Sequence, residues 1–279
     1  MYKTRGAGED EMINKGKHPL LGVRISAVDY DYAVQKILEA AVGGKPLAVS
    51  ALAVHGVMTG YLNIMDRRRL NGIDLVVPDG QPVRWGLRLV HKIALPDRVY
   101  GPELTLRVMQ AAADQQIPVY LYGSTEKTLA LLVANFMRLS PSLIIAGQES
   151  SKFRKLEPVE KEELAGRIIK SGARIVLVGL GCPRQEAWVY EYRNLLNIPL
   201  LAVGAAFDFH AGQLRQAPAW MQKYGLEWLY RLFQEPKRLW RRYLIFNPLY
   251  IIVILFEALG LRRIPVIMPD GSEPQKSYG

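Results

Sequence analysis

Six short apolar runs alternate with longer amphipathic stretches, and this alternation limits the folds open to the chain. The runs are 47–52, 73–77, 118–122, 143–146, 174–178 and 199–203. Each is four to six residues, the length of a buried strand. Between them, 53–62, 102–115, 126–139, 159–170 and 184–193 carry apolar residues at helical spacing. Strand followed by helix, repeated, builds a mainly parallel sheet with helices on its faces. The expected fold class is therefore α/β, with a Rossmann-like, mainly parallel sheet. Ligands of such sheets collect beyond the carboxyl ends of the strands. There the sequence places Pro78-Asp79-Gly80, Gly123-Ser124-Thr125 and Gly179-Leu180-Gly181.

The character changes after Gly212. Segment 215–243 holds seven basic residues and two acidic ones within a chain of net charge +10. Three of the five tryptophans lie in it. This favours an anionic partner: a phosphate-bearing ligand, an anionic membrane or nucleic acid. The tryptophans fall at helical spacing with leucines, which argues for packing and against nucleic acid. Helices are expected over 219–233 and from Pro236, with a break at Asn247-Pro248. The next eight residues are all apolar. Segment 244–261 is long enough to approach a membrane span but contains Asn247, Pro248 and Glu257. Three readings stay open: a span, peripheral or monotopic attachment, or a core or oligomer helix. The domain reading is a flexible leader over 1–17, an α/β catalytic domain over 18–219, a helical membrane-associating appendage over 220–264 and a disordered tail over 265–279.

Asp79 is the sharpest chemical candidate. A carboxylate at a strand end is placed to act as a general base, or only to cap its own turn. The 179–186 stretch suits phosphate or diphosphate binding at a helix N-terminus, or is a plain tight turn. It is not the dinucleotide fingerprint, because Arg184 stands at the final glycine position. That argues against a nicotinamide-dependent epimerase or dehydrogenase. Gly123 opens a possible second anion loop, in which Thr125 serves equally well as a helix cap. Asp29-Tyr30-Asp31 is formally Asp-x-Asp but precedes an amphipathic helix, where acidic residues cap. The four histidines have no metal-pair spacing, and the one cysteine, Cys182, reads as a space-filler.

Several motifs occur in order and resemble one family. They are 74–80 (DLVVPDG), 98–101 (RVYG), 179–186 (GLGCPRQE), 207–212 (FDFHAG), 215–221 (RQAPAWM) and 225–244, from GLEWLYRL to RRYL. Over 21–244 the chain resembles the WecG/TagA/CpsF glycosyltransferases. The resemblance implies a Rossmann-like α/β body in two lobes with a helical basic C-terminal appendage, and an inverting, metal-independent transfer from a UDP-sugar to a polyprenyl-diphosphate-linked saccharide, with no cofactor; a non-catalytic membrane or nucleic-acid-binding adaptor is the alternative of another class. It implies peripheral or monotopic attachment at the cytoplasmic face of a bacterial membrane, and a possible homo-oligomer. By position, Asp79 is the implied base. Ser50, Arg98, Gly123, Gly179, Gly181, Gln185, Arg231, Arg238, Arg241 and Arg242 are the implied donor- or diphosphate-binding residues. One departure stands out: Leu52 occupies the place where the family commonly has asparagine, and its side chain makes no hydrogen bond. On that ground hexose transfer for exopolysaccharide is favoured over N-acetylmannosaminyl transfer for teichoic acid or common antigen.

Overall fold

The computed structural model describes residues 12–279. The leader expected over 1–17 falls largely outside the described residues. Its described end is ordered, because Asn14 begins β1 (Asn14–Leu20), which pairs antiparallel with β2 (Val23–Val28). Next come α1 (Tyr30–Gly43), β3 (Leu47–Leu52), α2 (Val54–Leu62), α3 (Ile64–Asn71), β4 (Leu75–Pro78), α4 (Gln81–His91) and α5 (Gly101–Asp114). Then follow β5 (Val119–Gly123), α6 (Glu126–Leu139), β6 (Ile145–Glu149), α7 (Pro158–Lys170), β7 (Ile175–Gly179), α8 (Arg184–Leu196), β8 (Pro199–Ala202) and α9 (Ala206–His210). The C-terminal part adds α10 (Ala219–Lys223), α11 (Glu227–Gln234), α12 (Pro236–Arg241) and α13 (Asn247–Ala258).

The six anticipated strands form one parallel sheet in the order β4-β3-β8-β7-β5-β6. Side chains alternate along each strand, so the sheet feeds two cores. Ala48, Leu52, Val176 and Val178 face one of them, with the β1-β2 hairpin, α2, α8 and α13. Val49, Ile175 and Leu177 face the other, with α1, α5 and α6. The chain runs outward from β3 to β4 but returns through β8 on the other side of β3. This reversal opens a crevice at the carboxyl ends of β3, β7 and β8.

Three expectations about the C-terminal part change. The helix expected over 219–233 is two helices, α10 and α11, because Gly225 turns with φ +71°. Asn247-Pro248 does not break the next helix: α12 and α13 are joined by a π turn, Arg242–Phe246. A π turn widens the backbone just where the proline ring would clash and its missing N–H would interrupt the ladder. The tail over 265–279 is not disordered but lies along the surface. The Asn71 amide donates to Ile267 O at 2.9 Å, the buried Lys161 donates to Gln275 Oε1 at 3.0 Å, and Lys276 N donates to Glu191 Oε1 at 2.6 Å. Arg69 donates to Pro274 O, and Tyr278 bridges to Lys155. Buried polar groups of α3, α7 and α8 fix the tail, and composition gives no sign of them.

Removing 265–279 leaves Arg69, Asn71 and Lys161 short of partners. Each keeps another partner, Asp66, Gly22 O and Glu191 respectively, so each lost hydrogen bond costs about 0.5–1.5 kcal/mol. Truncation after Ile264 is expected to lower unfolding stability by a few kcal/mol in a urea titration, whereas removal of a free tail would leave the midpoint unchanged.

Candidate active site

A cavity of about 700 Å³ opens at the carboxyl ends of β3, β7 and β8. Asp79 lies on its wall directly after β4. Parallel pairing aligns Leu52 with Pro78, and Asp79 N donates to Leu52 O at 3.2 Å. The side chain is held from the far side, where Gly101 N at the start of α5 donates to Asp79 Oδ1 at 2.8 Å. Removal from water pushes the carboxyl up to about 6, against the pull of the Arg98 guanidinium and the Gly101 N–H. Near neutral pH the group is ionised yet only weakly acidic, the state of a useful proton acceptor.

Opposite Asp79, β7 turns into α8. Gly181 takes φ +77°, and the space where a side chain would stand is open. Gly181 N donates to Gln185 Oε1 at 3.1 Å. Gln185 Nε2 in turn donates to Glu186 Oε1 at 3.0 Å. Glu186 is buried at the back of the cavity. Burial pushes its carboxyl up, and its Oε2 has no hydrogen-bond partner among the described residues. The turn is thus organised by its own side chains, with backbone facing the cavity.

The basic appendage forms the remaining wall through Arg231, Arg238 and Arg242. A buried ion pair docks it. Arg98 Nη2 donates to Glu227 Oε2 at 2.7 Å, and Tyr100 Oη donates to Glu227 Oε1 at 2.6 Å. Arg231 lies over the Phe209 ring and pairs with Glu235 at 3.3 Å. Asp208 adds a carboxyl to the cavity wall, which burial pushes upward.

Of the eleven residues singled out in the sequence, Asp79, Gly179, Gly181, Gln185, Arg231, Arg238 and Arg242 line this cavity. Ser50 is buried behind the wall, where its hydroxyl donates to Glu186 Oε1 at 3.2 Å. Arg98 is an anchor for the appendage and borders a neighbouring chamber. Gly123 is packed inside the sheet, where any Cβ would lie 2.8 Å from the Gly179 backbone. Arg241 is exposed over the Trp240 ring. Thr125 caps α6, accepting from Thr128 N, while also lining the cavity. Asp29 caps α1. Leu52 borders the cavity, but its side chain is buried in the core and packs down onto Gly56. Glu186 and Glu227 went unassigned in the sequence. Both lie inside motifs that were noticed, but nothing in the sequence shows which partners they meet.

Comparison with known proteins agrees with this geometry. The model of the glycosyl transferase WecG/TagA/CpsF family matches residues 18–264. The chain belongs to this family. It is similar to the N-acetylglucosaminyldiphosphoundecaprenol N-acetyl-beta-D-mannosaminyltransferase of Bacillus spizizenii (strain ATCC 23059 / NRRL B-14472 / W23), with 30% identity over 187 residues. The match covers 67% of this chain and 70% of the relative. The protein is a glycosyltransferase, as its motifs implied.

Two outcomes follow. In the folded protein Asp79 titrates about two units above an ordinary aspartate, so its ionisation opposes folding above that range. The penalty is absent below about pH 4 and complete above about pH 6, on the order of 2 kcal/mol. Asp79→Asn should therefore raise the melting temperature at pH 8 and lose that advantage at pH 4. Breaking one side of a buried ion pair costs about 3–5 kcal/mol. Glu227→Ala should accordingly undock the appendage, seen as faster tryptic cleavage at Arg231 and Lys237 than in the unaltered protein.

Proposed function

We propose that this glycosyltransferase moves N-acetylmannosamine from a UDP-sugar onto a polyprenyl-diphosphate-linked N-acetylglucosamine. The observation that carries the class of reaction is one cavity bordered by a weakly acidic carboxylate, a glycine turn at a helix N-terminus and three arginines. The relative's printed activity supports the sugar and the acceptor. It outweighs the hexose and exopolysaccharide reading drawn from Leu52. The Leu52 side chain is buried against Gly56 in the core, so it does not itself choose between the two sugars.

The proposed chemistry is a single displacement with inversion, without a metal ion. Asp79 takes the proton of the acceptor hydroxyl. The oxygen bonds to the anomeric carbon as the bond from that carbon to the diphosphate oxygen breaks. The leaving nucleoside diphosphate carries the electron pair away. Backbone at 179–181 and the guanidinium groups of Arg231, Arg238 and Arg242 face the developing charge. Arg98 acts indirectly, by holding Glu227 and the appendage.

The acceptor reading implies a membrane surface. Residues 236–258 form the one described helix long and apolar enough to cross a membrane. Ile252 and Phe256 are exposed on it, and Leu259, Arg262 and Arg263 follow. Peripheral or monotopic attachment at the cytoplasmic face accounts for an apolar helix beside a basic appendage.

The test is transfer to a short polyprenyl-diphosphate N-acetylglucosamine, read by mass spectrometry with UDP-N-acetylmannosamine, UDP-glucose and UDP-N-acetylglucosamine. Product from the first donor alone is expected. Exclusive use of UDP-glucose would overturn the assignment of the sugar. With the true donor, kcat/KM should rise with pH through about 6 and then level, as Asp79 loses its proton. Asp79→Asn should lower kcat by two orders of magnitude or more while donor affinity stays close to that of the unaltered enzyme.

A further inference from the structure

Beside Asp79, on the side away from the glycine turn, lies a second chamber of about 100 Å³. It shares Asp79, Arg231 and Arg242 with the large cavity. Three polar atoms of residues on its walls are buried without a hydrogen-bond partner among the described residues: His55 Nδ1, Arg231 Nε and Arg242 Nε. Burial, with help from Arg242, pushes the His55 imidazole down to about 3, so it is neutral. Buried donors left unpaired are costly, and an anionic ligand would satisfy them.

Pro82 lines both this chamber and a groove of about 730 Å³ between α4 and α13. Tyr250 Oη donates to Pro82 O at 3.1 Å and ties the two helices at this junction. Gly86 lets them approach, since a Cβ there would stand 2.5 Å from Tyr250 Oη. Further along, Trp85, Leu89, Ile251 and Leu255 line the groove with exposed apolar surface, and Arg88 and Lys92 border it. The two spaces together run from cationic to apolar, the order of groups in a lipid diphosphate.

We propose that the α4–α13 groove receives the first isoprenoid units of the acceptor, whose diphosphate lies at the chamber beside Arg231 and Arg242. This rests on the acceptor reading given above. A single chain is the fitting occupant because two helices wall the groove and its inner end lies across Pro82 from the chamber that Arg231 and Arg242 line. The bilayer meets the other face of α13, where Ile252 and Phe256 point away from α4. The groove thus selects the acceptor by its lipid, independently of how the sugar is read.

The test uses the full chain in detergent, without donor, and a diazirine-bearing geranylgeranyl diphosphate as photoprobe. Adducts are expected on Trp85, Leu89, Ile251 or Leu255 and should be competed away by unlabelled geranylgeranyl diphosphate. Adducts confined to Ile252, Phe256 and Leu259 would overturn the proposal and give the apolar helix to the bilayer alone. A second readout compares acceptors with geranyl and geranylgeranyl chains. The longer chain should raise kcat/KM about tenfold, as burial of a few methylene groups supplies. Leu89→Asp and Ile251→Asp, both at exposed positions, should bring that ratio close to one. A ratio unchanged by either substitution would reject the groove. The photoprobe reads the groove without any sugar transfer, so specific labelling together with a silent transfer assay would reject the functional reading and leave the groove standing.

Discussion

Glu227 accepts from both Arg98 and Tyr100 in a buried pocket, and this contact joins the α/β body to its basic appendage. The two donors flank Val99, whose N–H donates to Pro78 O. Tyr100 also precedes Gly101, whose N–H holds Asp79. One short loop therefore fixes the candidate base with its backbone and the appendage with its side chains. The electrostatics are shared as well, since Arg98 draws the Asp79 pKa down and Glu227 pushes it up. An appendage displaced from Glu227's position would leave Arg98 as the dominant partner of Asp79, and the carboxylate would become a weaker base. Placement of the arginines and tuning of the base are thus two results of the same ion pair.

The sheet was legible because burial on both faces leaves short unbroken apolar runs, and all six runs became strands of one parallel sheet. The β1-β2 hairpin was not legible. Its first strand reads NKGKHPL, and its exposed half carries lysines and glycine that give no alternation. The tail was misread for a related reason. Proline and glycine show that a segment will not make its own helix or strand, but they say nothing of buried side chains elsewhere that accept its backbone. Arg69 and Asn71 in α3 and Glu191 in α8 supply those partners from two separate parts of the chain.

The site was legible at the strand ends and less so away from them. Asp79, Gly179 and Gly181 follow β4 and β7 or end them, where parallel topology puts ligands whatever the side chains. Ser50 lies within β3, where the pleat decides, and Gly123 ends β5 paired with Gly179. Ser50 points toward α8 and meets Glu186, while Gly123 serves the close approach of β5 to β7. Arg241 and Arg242 are neighbours in sequence, yet only Arg242 lines the cavity. A helix sends adjacent residues about 100° apart, and here that turns Arg241 to the outside while Arg242 faces the cleft.

The π turn at Arg242–Phe246 has a consequence for how this part of the chain can vary. Such a turn amounts to one surplus residue in an otherwise regular helix. It acts as a phase adjuster between two segments with different duties, one presenting Arg238 and Arg242 to the cavity, the other laying Tyr250 and Ile254 against the body. Wound as ordinary α-helix, the same residues would rotate everything beyond them by about 100°. Tyr250 would swing off Pro82, and Glu257 would leave Leu21 N, to which it is bonded at 2.9 Å. The winding of this segment is therefore under tighter constraint than the identity of most of its side chains.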